Sequence, residues 1–90
     1  MSDLEARFKT ASEEVLKLSK RPDNKTNLQL YSLFKQGSSG DVQGERPGFT
    51  DLIGRAKYDA WAKLAGTGQE EAMQKYIDVV EDLKAKDQGA

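Results

Sequence analysis

The chain has 90 residues, with 14 Lys and Arg against 15 Asp and Glu, no histidine and no cysteine. That length supports one domain with a modest core, because a domain this small buries only about two-thirds of the surface its unfolded chain exposes. The balanced charge excludes the broad positive field that nucleic acid or an anionic membrane needs, and the missing side chains exclude disulfides, thiolate nucleophiles, the usual zinc ligands and the commonest general base.

Along the chain, Leu4, Phe8, Ala11, Val15 and Leu18 recur at helical spacing, and Ser2 with Glu5 has the pattern of a capping box, so a first helix is predicted over about residues 3–19. The opening residues lack the basic and apolar regions of a secretory signal, and no segment approaches the roughly 20 apolar residues that span a bilayer. The expectation is a soluble, cytoplasmic, monomeric domain over residues 1–90. Lys20-Arg21-Pro22 stops the first helix, because a residue before proline is biased out of the helical region, and Asp23 or Asn24 can cap the next one. The second helix carries Leu28, Leu30, Tyr31, Leu33 and Phe34.

From Gly37 to Gly48 the periodicity disappears into four glycines and a proline, which predicts one long loop. A third helix is predicted from Thr50 or Asp51 to Ala65, with Ile53, Ala56, Ala60 and Leu64 on one stripe and Gly66 as its stop. Thr67 with Glu70 repeats the capping-box pattern ahead of a fourth helix, whose stripe is Met73, Tyr76, Ile77, Val80 and Leu83. These elements predict an all-α, four-helix bundle with a long connection between the second and third helices. Such a connection permits the third helix to run parallel to the second.

Tyr31 and Lys35 are four residues apart on the second helix, so they share a face and can approach one anionic group together. Taken alone, the pair reads more readily as a core-edge tyrosine beside a solvated lysine. Lys57 borders the Ile53, Ala56 and Ala60 stripe and could simply lay its stem over apolar surface. Tyr76 falls on the core stripe of the last helix, where its hydroxyl needs a partner. Trp61 reads as packing and stays outside the candidate site. The glycine-rich loop lacks the spacing of a phosphate-binding P-loop and follows no strand. The acidic neighbours Glu13-Glu14, Glu70-Glu71 and Glu81-Asp82 point in different directions and read as solvated surface.

In order along the chain stand Tyr31-Ser32-Leu33-Phe34-Lys35-Gln36, Gly40-Asp41, Glu45-Arg46-Pro47-Gly48, Ala56-Lys57-Tyr58-Asp59-Ala60-Trp61, Leu64, Gly66, Ala72-Met73 and Tyr76-Ile77. This set resembles the acyl-CoA-binding protein family over essentially the whole chain. The resemblance implies a non-catalytic bundle that binds, buffers and transports long-chain acyl-CoA, with that thioester as ligand, no cofactor and no metal. It further implies no nucleic-acid partner and no stable membrane insertion. By the same resemblance, Tyr31, Lys35 and Lys57 would meet the 3′-phosphate of CoA, Tyr76 would help hold the head group, and Ser32, Leu33 and Phe34 would belong to the central contact segment. Three positions depart from the family pattern. Phe34 stands where members commonly have tyrosine, which keeps a stacking ring and loses a hydroxyl; Leu16 stands where relatives often have a cation; and Ile53 replaces a more polar residue near the same site. Leu28, Leu30, Leu52, Ile53 and Ala56 are the candidates for an apolar acyl groove. The competing reading, from another class, is a helical module that presents one bundle face to a protein partner.

Overall fold

The computed structural model describes residues 3–89. Among them are four α-helices and no strand: α1 (Asp3–Glu14), α2 (Asn24–Ser39), α3 (Leu52–Ala62) and α4 (Gln69–Gly89). The predicted cap at Ser2 lies outside the described residues. α1 is shorter than its stripe suggests, because its end tightens into a 3₁₀ turn, Val15–Lys17, and Leu18 is extended. Just beyond, the Ser19 backbone N–H and hydroxyl both donate to the Asp87 carboxylate, which draws the chain off the helical path and onto α4.

Of the two candidate caps for α2, Asp23 is the one that acts: its carboxylate accepts from the Thr26 N–H at 2.8 Å. Those hydrogen bonds hold its pKa below the usual carboxylate range. α2 then continues through Gly37 to Ser39, past the point where a loop was expected. Gly37 is buried in the helix because a side chain there would sit 3.1 Å from Met73 Cγ and 3.2 Å from Phe8 Cζ. The residue's absent side chain serves close packing between helices, so the helix tolerates its unfavourable propensity. Gly40, with φ of 83°, is the residue that ends α2.

The connection from Gly40 to Asp51 doubles back along α3. The Trp61 indole donates to the Gly40 carbonyl at 2.8 Å, the Tyr58 hydroxyl to the Gly44 carbonyl at 3.1 Å, and Arg46 makes a two-point pair with Asp59 at 2.9 and 2.7 Å. The loop therefore delivers α3 beside the start of α2. Asp51 caps α3 by accepting from the Gly54 N–H at 2.9 Å. α3 stops at Ala62, earlier than predicted, and turns through Gly66, whose φ is 89° and whose N–H donates to Asp41. The start of α4 also falls one step later than the Thr67 pattern suggests: the Ala72 N–H donates to the Gly68 carbonyl, which makes Gly68 the cap residue. Thr67 gives its own carbonyl to the Gln36 amide.

Contacts between the helices fix their directions. Tyr31 meets Lys57 and Lys35 meets Trp61, so α2 and α3 run parallel. Phe8 meets Tyr76 and Glu14 meets Lys84, so α1 and α4 are parallel too. Phe34 meets Tyr76 and Gly37 meets Met73, which sets α2 against α4. The result is an up, down, down, up bundle. Its core is Phe8, Ala11, Leu30, Leu33, Ala72, Tyr76, Ile77 and Val80, all from α1, α2 and α4. α3 contributes no buried residue. Its predicted stripe is split: Ala60 and Leu64 are half-buried, while Ile53 and Ala56 face outward.

Candidate ligand-binding site

Two cavities adjoin along the face between the α1 to α2 linker, α2 and α3. The first, about 590 Å³, lies between the end of α1, that linker and the middle of α2, and is walled by Leu16, Leu30, Tyr31, Phe34 and Tyr76 together with Lys20 and Arg21. The second, about 440 Å³, runs between the first turns of α2 and α3 and is lined by Leu28, Leu52, Ile53, Ala56 and Lys57. Arg21 and Asn27 line both. A polar-mouthed, aromatic-walled cavity thus opens at its boundary into an apolar groove, within the size range of small-molecule sites.

The aromatic wall is held by one ring from each of three helices. Phe8 stacks on Phe34 with centroids 5.4 Å apart, and Tyr76 meets Phe8 edge-on at 5.2 Å and Phe34 at 5.9 Å. This trio fixes the Phe34 ring while leaving 39% of the residue exposed. A flat, fixed, part-exposed ring has the chemistry to stack on a planar group. Tyr76 is buried, its hydroxyl has no hydrogen-bond partner among the described residues, and burial pushes its pKa up. The phenol therefore stays neutral and can donate into the cavity.

The two parallel helices place their pairs reciprocally, with Tyr31 walling the first cavity and Lys57 lining the second. Tyr31 and Lys35 stand on α2, Lys57 and Trp61 on α3, each pair four residues apart. The Lys57 ammonium lies over the Tyr31 ring, 5.4 Å from its centroid, and the Lys35 ammonium over the Trp61 ring at 5.0 Å. Neither lysine has a carboxylate partner among the described residues, and Asp59 on the same helix is occupied by Arg46. Each ammonium thus rests on an aromatic face, and its N–H bonds remain able to meet an anionic acceptor.

The sequence-derived candidates therefore separate by location. Tyr31, Phe34, Tyr76 and Leu16 come together at the first cavity, and Leu16 is 84% exposed at its rim. Lys57 lines the second cavity, whereas Lys35 lines neither and stands one turn beyond Tyr31 on α2, over Trp61. Leu28, Leu52, Ile53 and Ala56 form the groove as a group. Leu30 does not join them; it is a core residue whose edge walls the first cavity. Ile53, too, is a groove residue and does not wall the aromatic cavity. Ser32 and Leu33 line neither cavity: both are buried, Leu33 in the core and Ser32 with its hydroxyl donating to the Gln29 carbonyl. Sequence reasoning missed Arg21, Lys20 and Asn27. Their signal was two cations directly before Pro22, in a linker that the proline and the Asn27 amide, donating to the Pro22 carbonyl at 3.0 Å, hold in place.

Comparison with known proteins agrees across sequence and structure. Residues 5–80 match the family model described as Acyl CoA binding protein. The acyl-CoA-binding protein homolog of Drosophila melanogaster is 51% identical over 79 residues, covering 88% of this chain and 92% of that protein. Its counterpart in Manduca sexta is 46% identical over 83 residues, covering 91% and 92%. The crystal structure of Oryza sativa acyl-CoA-binding protein 2 superposes with a TM-score of 0.88 at 37% identity, over 92% of this chain and 90% of that one. The crystal structure of the Moniliophthora perniciosa protein gives 0.79 at 35% identity, over 100% and 98%.

Proposed function

The chain belongs to the acyl-CoA-binding protein family, and from that premise we propose that residues 1–90 are a single domain that binds long-chain acyl-CoA without transforming it, buffering and carrying the thioester as a cytoplasmic monomer. The observation that carries the reading is the junction of an aromatic, cation-rimmed cavity with an apolar groove, because acyl-CoA has the same two-part chemistry. The adenine would stack on Phe34, the 3′-phosphate would sit between Tyr31, Lys35 and Lys57, Tyr76 would donate to the head group, and the acyl chain would follow Leu28, Leu52, Ile53 and Ala56.

Magnitudes require both ends of the ligand. Covering about 14 methylenes at about 0.8 kcal/mol each supplies on the order of 11 kcal/mol if burial is complete. An open groove covers less than that, and association costs several kcal/mol more, so phosphate contacts must make up the difference before nanomolar binding, about −12 kcal/mol, is reached.

Calorimetric titration with CoA and with acyl-CoAs of increasing length tests the reading. Affinity should rise with each added methylene until the groove is filled, and free CoA should bind far more weakly. Equal affinity for free CoA and a long-chain thioester would remove the acyl groove. No binding of either would leave the interaction-module reading, with exposed Phe49, Leu52 and Ile53 as its face.

A further inference from the structure

We infer that Trp61 is a positioning residue that selects for the 3′-phosphate by holding the Lys35 ammonium over its ring; this inference rests on the acyl-CoA reading above and deepens it. The indole has two contacts of different kinds. Its N–H donates to the Gly40 carbonyl at 2.8 Å, which anchors the end of α2 and the start of the long loop to α3. Its ring face carries the Lys35 ammonium, 5.0 Å from the centroid. The first contact fixes the plane of the ring, and the fixed plane then sets where the lysine rests.

A ring is a useful partner for a phosphate-reading lysine for a physical reason. A carboxylate would hold the ammonium too, but a ligand phosphate would then have to displace it and leave an anion behind. An aromatic face attracts the cation through its quadrupole, adds no net charge, and leaves the N–H bonds that point away from the ring free for an incoming acceptor. Lysine otherwise loses considerable rotamer freedom on engaging a ligand, and a lysine already confined loses less. Lys57 over Tyr31 repeats the device in mirror fashion, with the ring on α2 and the cation on α3. Both rings thus hold their lysines across the same parallel helix pair.

The test is a set of calorimetric titrations of Trp61→Leu, Trp61→Phe and Lys35→Met, alone and in the combination Trp61→Leu with Lys35→Met, each against dodecanoyl-CoA and dodecanoyl-3′-dephospho-CoA. The ratio of the two affinities reads phosphate selectivity, and the dephospho ligand controls for general damage to the fold. Trp61→Leu should lower the ratio by about two- to fivefold, as expected for one cation over a partly exposed ring. Trp61→Phe keeps a ring but loses the bond to Gly40 that fixes its plane, so its ratio should fall between those of the wild type and Trp61→Leu. In the Lys35→Met background, Trp61→Leu should change the ratio no further. The inference is overturned if Leu and Phe lower both affinities alike, as a purely structural tryptophan requires, or if the Trp61→Leu loss persists without Lys35. Failure of the wild-type protein to bind either thioester would instead overturn the acyl-CoA reading itself.

Discussion

Among the described residues no carboxylate pairs with Lys35 or Lys57, so on the proposed reading truncating either should cost binding and spare the fold. Lys35→Ala and Lys57→Ala should each weaken acyl-CoA binding by about 1.5–3 kcal/mol, the range for hydrogen bonds to a charged group, with unchanged circular dichroism. Against 3′-dephospho-CoA thioesters the penalty should shrink; an undiminished penalty would take these lysines out of phosphate recognition. Leu16 offers the opposite experiment. It is 84% exposed at the rim of the aromatic cavity and off the core stripe, so Leu16→Lys should leave the thermal midpoint nearly unchanged. It should tighten binding by about 0.2–1 kcal/mol at low salt, with the gain fading as ionic strength rises. A large loss of stability would mean that Leu16 supports packing after all. At this scale the sequence was informative where both partners lie on one helix, as with Tyr31 and Lys35, and silent on the crossed contacts between helices. The placement of Trp61 over Lys35 depends on a relative translation of α2 and α3 that no local spacing encodes.

Among elements, α3 has the weakest hold, since none of its residues is buried and it packs on α2 through half-buried side chains. Its cap therefore matters. Asp51→Ala removes the acceptor for the Gly54 N–H and should cost about 1 kcal/mol, within the 0.5–2 range for such caps. Because Leu52 and Ile53 lie in the turn that frays, hydrogen exchange should quicken there, and long-chain affinity should fall more than the affinity for free CoA. Equal losses for both ligands would separate the groove from the start of α3. Gly37 makes the converse case, in which packing outweighs propensity. Alanine there favours the helix by about 1 kcal/mol, yet its methyl would stand 3.1 Å from Met73 and 3.2 Å from Phe8. Overpacking costs about 1–3 kcal/mol, so Gly37→Ala should lower stability on balance, read as a reduced denaturation midpoint at unchanged slope. This position also shows why the end of α2 was misread from sequence. A glycine announces a break unless the neighbouring helix is known to press against it, and that neighbour, Met73, is far along the chain.

Across the whole molecule, the four helices and their order were legible from periodicity, and the parallel α2 and α3 pair was permitted by the long connection. What sequence could not supply was the return path of that connection, stitched to α3 by Trp61, Tyr58 and Arg46. A polar knot around Gln36 completes it. Fully buried Gln36 donates to Asp41 and to the Thr67 carbonyl, each at 2.8 Å, and Asp41 also accepts from the Gly66 N–H at 2.9 Å. The Gln36 amide first, and then the Gly66 N–H, hold the Asp41 pKa below the usual carboxylate range. Arg46 does the same for Asp59, and Ser19 for Asp87. A depressed native pKa means that the unfolded state binds more protons in acid. These groups thus contribute fully above the unfolded carboxylate range, about pH 4, and the contribution is lost as pH falls through their lower native values. The thermal midpoint should accordingly be flat near neutrality and decline below about pH 5. Asp41→Asn can keep its acceptor oxygen and lose the charge, so it should melt lower near neutral pH and show a shallower acid decline. An equally steep decline would assign the acid sensitivity to other carboxylates.

The parallel course of α1 and α4 also has a mechanical consequence. Because the two helices point the same way, with Phe8 beside Tyr76 and Glu14 beside Lys84, the beginning of α1 and the end of α4 lie toward opposite ends of the bundle. Tension applied through the two ends would slide α1 lengthwise over α4, loading the Phe8 packing, the Lys84 ion pair and the Ser19 contact with Asp87 together instead of peeling them apart one at a time. Under force the molecule should resist in shear and yield in one abrupt rupture, at a load set by the unfolding rate and insensitive to how well the cavity between α2 and α3 is filled.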